Sequence, residues 1–226
     1  MLDFSYILYL LMQALAVIVG LCVHESAHAL AAWALGDKTA RSRGRVSLNP
    51  LAHIDPFGTV LLPLIMIVLG GPVFAFAKPV PVYLGNLKHP KRDEVIVSLA
   101  GPVSNIILAA AFALLLHGVA GLSFTPGTAQ ALYAAATFLQ LAVLCNLSLA
   151  FFNLIPLPPL DGSSLIVPFL SGRSLDTYYQ IQRYAMPILI IVLYLVPQVL
   201  RIDLVGIYFN FTVYPLFDLL TGLALG

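Results

Sequence analysis

Long apolar runs separated by short polar loops dominate the 226-residue chain. Most of these runs approach or exceed the roughly 20 residues that a helix needs to cross a bilayer. The pattern therefore predicts an all-α polytopic membrane protein with about five to six transmembrane helices. The apolar runs lie at about 5–35, 57–77, 95–118, 130–155, 184–200 and 204–225.

The run at 57–77 has two interpretations. The flanking residues 36–56 and 78–94 each carry four lysines or arginines. A helix spanning the membrane at 57–77 would place these basic loops on opposite faces, which the positive-inside rule disfavours. We therefore favour a re-entrant segment at 57–77, with a spanning helix as the alternative.

Alternating prolines in the sequence AKPVPV predict a short extended segment at 77–83, because proline does not fit the interior of a helix. Beside an active site, such a segment could hold an unwound substrate by strand addition. The other interpretation is an ordinary loop at the membrane surface.

Composition supports a lipid environment. Hydrophobic residues make up 60% of the chain and charged residues only 9%, whereas soluble domains are about one quarter charged. A net charge of +1 provides no basic surface for nucleic acid. No cleavable signal peptide is evident. We expect a single membrane-embedded domain over 1–226, with its catalytic core at about 5–170 and additional C-terminal helices at about 184–225.

Two histidines and a glutamate interrupt the first apolar run, in the sequence HESAH. On a helix, His24 and His28 share one face and can bind the same zinc ion. Glu25 lies at the edge of that face, where a carboxylate can take a proton from a water activated by the metal. A chance cluster of polar residues is the alternative, but ionised side chains in lipid cost about 2.5–3.5 kcal/mol and usually serve a function.

A third zinc ligand is expected near the sequence NLIPLPPLDG, at residues 153–162. Its three prolines end a helix and leave backbone groups unpaired, which is tolerated at membrane depth only inside protein or beside a cavity. Asp161 follows these prolines and is the candidate ligand. It could also cap the next helix, and the two roles are compatible.

Three motifs together resemble the site-2 protease family of intramembrane zinc metalloproteases: HESAH, AGPVSN at 100–105 and FNLIPLPPLDG at 152–162. The segments GRVSLNPLAHIDPFGT at 44–59 and AKPVPV at 77–82 extend the resemblance. They are similar to the small bacterial and archaeal branch that lacks PDZ and CBS domains.

The resemblance implies that His24, His28 and Asp161 bind one Zn²⁺ per chain and that Glu25 is the general base. It also implies cleavage of transmembrane segments of other membrane proteins, with single-pass helices as the expected substrates. The expected location is the cell membrane of a prokaryote, as an integral multi-pass protein surrounded by lipid.

Three further residues are candidates for substrate contact or support. Asn153 could donate to a substrate or an oxyanion, or could form an ordinary interhelical hydrogen bond. Asn105, four residues after Gly101, could support the site or only the packing of its helix. His53 could approach the active site or cap the turn at Pro56.

Two other functions compete with the protease hypothesis. A non-catalytic relative could bind membrane proteins, although Glu25, which such a relative could lose, is present. A metal transporter would be expected to show weak, repeated ligand positions and inverted repeats, and neither is evident in the sequence. The oligomeric state is left open.

Overall fold

The computed structural model of the chain describes residues 4–55, 58, 61, 78–123 and 125–222. Within these residues all the regular structure is helical, and no β-strand is present. Apart from residues 58 and 61, the segment 57–77 lies outside the described residues, as does residue 77 of the predicted extended segment. The choice between a re-entrant and a spanning segment therefore stays a prediction.

Three long apolar helices form the centre of the structure. These are α1 (Phe4–Ala34), α3 (Pro90–Ala120) and α4 (Ala129–Asn153). A short helix, α2 (Thr39–Ser42), lies in the loop after α1. At 1.5 Å per residue, each is longer than a hydrocarbon core of about 30 Å. All three pack against one another, so that α1 contacts both α3 and α4.

The C-terminal part contains two bent helix pairs. Helix α5 (Arg173–Gln182) meets α6 (Ala185–Leu200) at an angle of 73°, and α7 (Leu204–Phe211) meets α8 (Val213–Thr221) at 41°. If each pair counts as one span, the described residues contain up to five helices or helix pairs long and apolar enough to cross a membrane. The predicted all-α polytopic fold is confirmed.

A core of small and medium-sized side chains joins α3, α4 and α8. Ala109 and Ala113 of α3 face Val143 and Leu147 of α4, and the cluster is closed by α8. Small residues let helix backbones approach closely, which is how helices gain contact inside a membrane where lipid already solvates apolar side chains. The residues that α8 adds to this core are Val213 and Phe217.

Short irregular segments connect the long helices near His24 and His28. A nine-residue 3₁₀ helix (Asp161–Phe169) follows α4 after a proline-rich turn, and it packs against α3. Residues 78–83 have no helical structure, and Tyr83 has extended backbone angles (φ −108°, ψ 105°). The described part of the predicted extended segment is therefore non-helical, and it is extended at Tyr83.

The buried carboxylate of Asp37 connects the end of α1 to the end of the segment 78–83 and to the short 3₁₀ helix that follows it. Its oxygens accept hydrogen bonds from the backbone N–H of Tyr83 at 2.7 Å, from the Asn86 amide at 2.9 Å and from the Thr39 backbone N–H at 3.0 Å. Burial alone would raise the pKa of Asp37, but the hydrogen bonds from Asn86, Thr39 and Tyr83 outweigh it. They lower the pKa from 3.8 to about 2.

Replacing Asp37 by Asn should lower the free energy of unfolding by about 1–3 kcal/mol, because buried N–H donors lose their charged acceptor. Since the folded-state pKa lies below the unfolded one, this stabilisation is complete above pH 3.8 and is lost as the pH falls through about 2. Unfolding curves of the detergent-solubilised wild type and variant, recorded over this range, measure both effects. The exposed Asp176→Asn substitution is the matched control, and an equal loss in both variants would contradict the prediction.

Candidate active site

Helix α1 presents its two histidines side by side. The rings of His24 and His28 lie 4.6 Å apart between centroids and meet edge to face, as expected for positions four residues apart on one helical face. Both Nε2 atoms face the Oδ2 atom of Asp161, at 3.1 Å from His24 and 3.4 Å from His28. The structure therefore brings together the three residues that the sequence suggested as ligands.

The turn after α4 carries Asp161 to the histidines. Helix α4 ends at Asn153, and the chain folds back so tightly that a Cβ atom on Gly162 would collide with the carbonyl of Leu154. The N-cap of the following 3₁₀ helix is Leu160, and Asp161 is its first residue. The Asp161 side chain is thus directed at the histidines, whereas the cap position that the sequence also suggested for it belongs to Leu160.

The second nitrogen of each imidazole is held by an acceptor on α3. Nδ1 of His24 lies 2.6 Å from Oδ1 of Asn105, and Nδ1 of His28 lies 2.7 Å from the carbonyl oxygen of Val97. A carbonyl oxygen can only accept, so the Nδ1 atom of His28 must carry the proton. In the neutral imidazole the lone pair then lies on Nε2, the atom that faces Asp161, which is the arrangement that metal-binding histidines adopt.

These residues fit a zinc ion. The three candidate ligand atoms of His24, His28 and Asp161 lie within 4.8 Å of one another. Within the part of the chain that the structure describes, no group donates a hydrogen bond to the buried Oδ2 atom of Asp161, a costly state that a bound cation would relieve. Two imidazoles and one carboxylate are the ligand set of a catalytic zinc site, which keeps a fourth position open.

Glycine at position 101 leaves the space that a metal needs. A Cβ atom built on Gly101 would overlap the Nε2 atoms of both His24 and His28. Helix α3 therefore passes the histidines with no side chain at its point of closest approach. The sequence indicated only close helix packing at this position. The structure shows that the absence of a side chain also leaves space beside the Nε2 atoms of both histidines.

A cavity of about 570 Å³ lies beside the three ligand residues. Cavities of this size commonly hold small ligands, and this one has room for a short stretch of peptide. Glu25 is half-buried in its wall, and Asn153 lines it from the end of α4. The extended segment contributes Pro79, Val80 and Val82, and the bend between α5 and α6 contributes Gln182, Arg183 and Met186.

The three supporting candidates occupy different places. Asn153 lines the cavity, and its amide nitrogen donates to the Leu149 carbonyl at 2.9 Å, which leaves its second amide hydrogen for another acceptor. Asn105 lies behind His24, outside the residues that line the cavity. A role in substrate contact for Asn153 stays a prediction.

His53 is fully buried away from the ligand cluster. Its Nε2 atom lies 2.6 Å from the Ser47 carbonyl oxygen and 3.3 Å from the Ser26 hydroxyl of α1, and it does not line the cavity. Its backbone carbonyl accepts from the N–H of Lys78 at 2.9 Å. In the described structure, His53 thus joins the loop after α1 to that helix and to the start of the extended segment.

Sequence reasoning missed one buried polar residue near the site. Asn146 of α4 is fully buried and bonds to Asn105, one step behind His24. A lone asparagine in the middle of an apolar run was the available signal, since such residues usually have a partner inside the protein.

Helices long and apolar enough to cross a membrane, an H-E-x-x-H motif on one of them and a distant aspartate beside both histidines are the features of an integral membrane zinc metalloprotease. Comparison with known families agrees with this class. The chain belongs to Peptidase family M50, whose model matches residues 12–135 and 120–196. The resemblance to site-2 proteases is thereby confirmed.

Curated relatives carry names of the same class. The chain is 42% identical over 158 residues to "Putative zinc metalloprotease YwhC" of Bacillus subtilis (strain 168), an alignment that covers 67% of this chain and 66% of the relative, just under two thirds of its length. It is 31% identical over 210 residues to "Putative zinc metalloprotease Rip2" of Mycolicibacterium smegmatis, covering 92% of this chain and 76% of the relative.

The relative of the same name from Mycobacterium tuberculosis (strain ATCC 25618 / H37Rv) is 35% identical over 202 residues, which cover 89% of this chain and 71% of the relative. No match was found among the solved structures.

Removing a ligand residue should remove the metal. The purified wild type is expected to hold about one zinc per chain, and His28→Ala and Asp161→Ala should each lose it, because a tightly bound catalytic zinc needs three protein ligands. Metal content measured by mass spectrometry tests this. The exposed His89→Ala and Asp176→Ala substitutions serve as controls and should keep the metal. Zinc retained in Asp161→Ala would exclude Asp161 as a ligand.

A single methyl group at position 101 should also abolish zinc binding, although all three candidate ligands remain. Gly101→Ala places carbon against the Nε2 atoms of both histidines, so zinc content should fall to background. Gly118→Ala on the same helix is the matched control, because a Cβ atom there meets nothing within 4 Å. Full zinc occupancy in a folded Gly101→Ala protein would show that the metal lies elsewhere.

Proposed function

We propose that this protein cleaves transmembrane segments of other membrane proteins, as an intramembrane zinc endopeptidase. The observation that supports the proposal most directly is the position of the ligand cluster. His24 and His28 lie in the C-terminal half of α1, within a helix apolar enough to span a bilayer, and a cavity opens beside them. A peptide bond brought to this cavity would be cut at membrane depth.

In this proposal each cavity residue has a chemical role. When bound, zinc supplies Lewis acidity that activates water at neutral pH and polarises the substrate carbonyl. His24, His28 and Asp161 would hold the ion, and Glu25 would accept the proton of the attacking water and pass it to the leaving amine. The amide of Asn153 would donate to the substrate or to the developing oxyanion.

The extended segment gives the cavity one wall suited to an unwound substrate. The N–H groups of Lys78 and Tyr83 bond to His53 and Asp37. Between them, prolines at 79 and 81 leave backbone N–H groups on Val80 and Val82, and both valines line the cavity. A substrate helix must be unwound before cleavage, and an extended chain can pair with such a segment. Its backbone is anchored at one end by the Arg45 guanidinium, which donates to the Lys78 carbonyl.

The expected partners follow from this site. Helices of single-pass membrane proteins are the predicted substrates, because a single helix can enter from the lipid beside the protein without disturbing a folded bundle. Nucleic acid is not an expected partner, given the net charge of +1.

Glu25→Gln should retain zinc and reduce the rate of cleavage by about 10²- to 10⁴-fold, because an amide cannot take the proton of the attacking water. The assay uses proteoliposomes that contain a panel of single-pass helices, and mass spectrometry of the products locates each cut. Glu94→Gln is the matched control, since Glu94 bonds to the Tyr179 hydroxyl on α5 and does not line the cavity.

The position and presence of the cuts distinguish the hypotheses. Cuts confined to soluble segments of the panel would contradict the intramembrane proposal. Equal activity of Glu25→Gln and wild type would remove Glu25 from the mechanism. A wild type that holds zinc and binds the helices without cutting any of them would favour a non-catalytic binding protein.

A further inference from the structure

Two fully buried asparagines stand behind His24 and connect three helices. Asn105 of α3 places its Oδ1 atom 2.6 Å from the Nδ1 atom of His24. The Nδ2 atom of Asn105 donates to the Gly20 carbonyl of α1 at 3.0 Å and to Oδ1 of Asn146 at 2.9 Å. Asn146 then donates from Nδ2 to the Ala142 carbonyl of its own helix, α4, at 2.8 Å. These side chains lie outside the residues that line the cavity.

Backbone carbonyls fix the direction of every hydrogen bond in this series. The Gly20 carbonyl only accepts, so the group of Asn105 that faces it must be the amide nitrogen. The Ala142 carbonyl fixes Asn146 in the same way, which leaves its Oδ1 atom to accept from Asn105. The remaining group of Asn105 is its Oδ1 atom, which can only accept, so the Nδ1 atom of His24 must carry the proton.

We propose that Asn105 and Asn146 act as a relay that positions His24 for zinc binding, by fixing both its tautomer and the orientation of its ring. The proposal rests on the zinc site described above and concerns positioning residues, since neither asparagine faces the cavity. With Nδ1 protonated, the lone pair of His24 lies on Nε2, the atom that faces Asp161. Acceptors behind metal-binding histidines orient them in this way.

The two histidines are held by different means. The acceptor for His28 is a main-chain carbonyl, that of Val97, which any residue at position 97 would provide. The acceptor for His24 is a side chain that is itself held by a second side chain. Of the two acceptors behind the imidazoles, only the one for His24 therefore depends on the identity of a side chain.

Gly20 completes the relay by lacking a side chain. A Cβ atom at this position would lie 2.9 Å from Oδ1 of Asn146 and 2.9 Å from a methyl carbon of Leu149, closer than such contacts normally come. Gly20→Ala therefore keeps every polar group of the relay but forces the Asn146 amide to shift. This variant separates the effect of geometry from the effect of removing a hydrogen-bonding group.

The primary experiment measures the zinc dissociation constant of the full-length apo-protein by competition with a chelator. Asn105→Leu, of similar size but without an acceptor, should raise it about 10- to 100-fold. Asn146→Leu and Gly20→Ala should raise it less, because Asn105 keeps its bonds to His24 and to the Gly20 carbonyl while its contact with Asn146 is removed or displaced. Asn105→Asp keeps an acceptor for Nδ1–H but loses the donor to the Gly20 carbonyl and to Oδ1 of Asn146, so its loss of affinity should be smaller than that of Asn105→Leu.

A matched control and a second readout make the result specific. Thr221→Val removes another buried hydrogen bond, to the Phe217 carbonyl at 2.8 Å, and should leave zinc affinity unchanged. The ¹⁵N chemical shifts of the His24 imidazole in apo-protein should report the Nδ1–H tautomer in wild type and Asn105→Asp. In Asn105→Leu they should report a mixture of tautomers.

Two results would overturn the relay. One is an unchanged dissociation constant in folded Asn105→Leu and Asn146→Leu, and the other is an equal loss of affinity in Asn105→Leu and Asn105→Asp. If Asn105→Leu fails to fold, Gly20→Ala decides the question, and an unchanged affinity there would reject the relay. A wild type that binds no zinc would instead contradict the proposed protease function, so the two failures are distinguishable.

Discussion

Polar atoms placed inside an apolar bundle must find their partners within the protein, and this constraint shapes the structure around α1. In lipid there is no water to satisfy an unpaired donor or acceptor, so each such atom costs several kcal/mol. Helix α1 carries His24 and His28 in the middle of an apolar surface. Both Nδ1 atoms have an acceptor on α3, and both Nε2 atoms face Asp161 in the turn after α4. The ligand cluster thereby determines which helices must be neighbours.

Close approach of backbones is the second consequence of this constraint. Side chains as short as asparagine and aspartate reach the histidines only if the neighbouring segments lie almost in contact with α1. Gly101 brings α3 against the imidazoles, and Gly162 lets the chain turn back on α4 so that Asp161 reaches them. The same positions therefore serve helix packing and metal geometry, and a substitution at either one affects both.

Much of this arrangement could be predicted because it is local in sequence. The apolar runs predicted most of the ends of α1, α3 and α4 to within two residues. The α-helical periodicity placed His24 and His28 on one face of α1. Asp161 could be predicted as a candidate ligand because the prolines before it, at membrane depth, require a backbone that is buried in protein or lines a cavity. The start of α3 at Pro90 was predicted about five residues too late, since charged residues of its first turn continue the helix beyond the apolar run.

The rest depends on contacts between distant segments, which a single sequence does not encode in any periodic form. Asn105 and Asn146 are 41 residues apart, and only the packing of α3 on α4 makes them a pair. The position of His53 depends on such contacts too. The sequence left open whether it approaches the active site or caps a turn, and the structure buries it against Ser26 and Ser47, where it holds the loop after α1. Local pattern thus identifies the candidate ligands of this site more readily than the residues that pack behind them.

The cavity is assembled by two sets of interactions that differ in environment. Its ligand side is held within the helix bundle by Asn105, Val97 and the histidines. Its extended wall is held by the loop beyond α1: the buried Arg45 guanidinium donates to the Lys78 carbonyl at one end, and Asp37 accepts from the Tyr83 N–H at the other. His53 links the two sets, because its backbone carbonyl accepts from the Lys78 N–H and its imidazole lies 3.3 Å from the Ser26 hydroxyl, between the two histidines of α1. The extended wall is therefore connected to the part of α1 that carries His24 and His28.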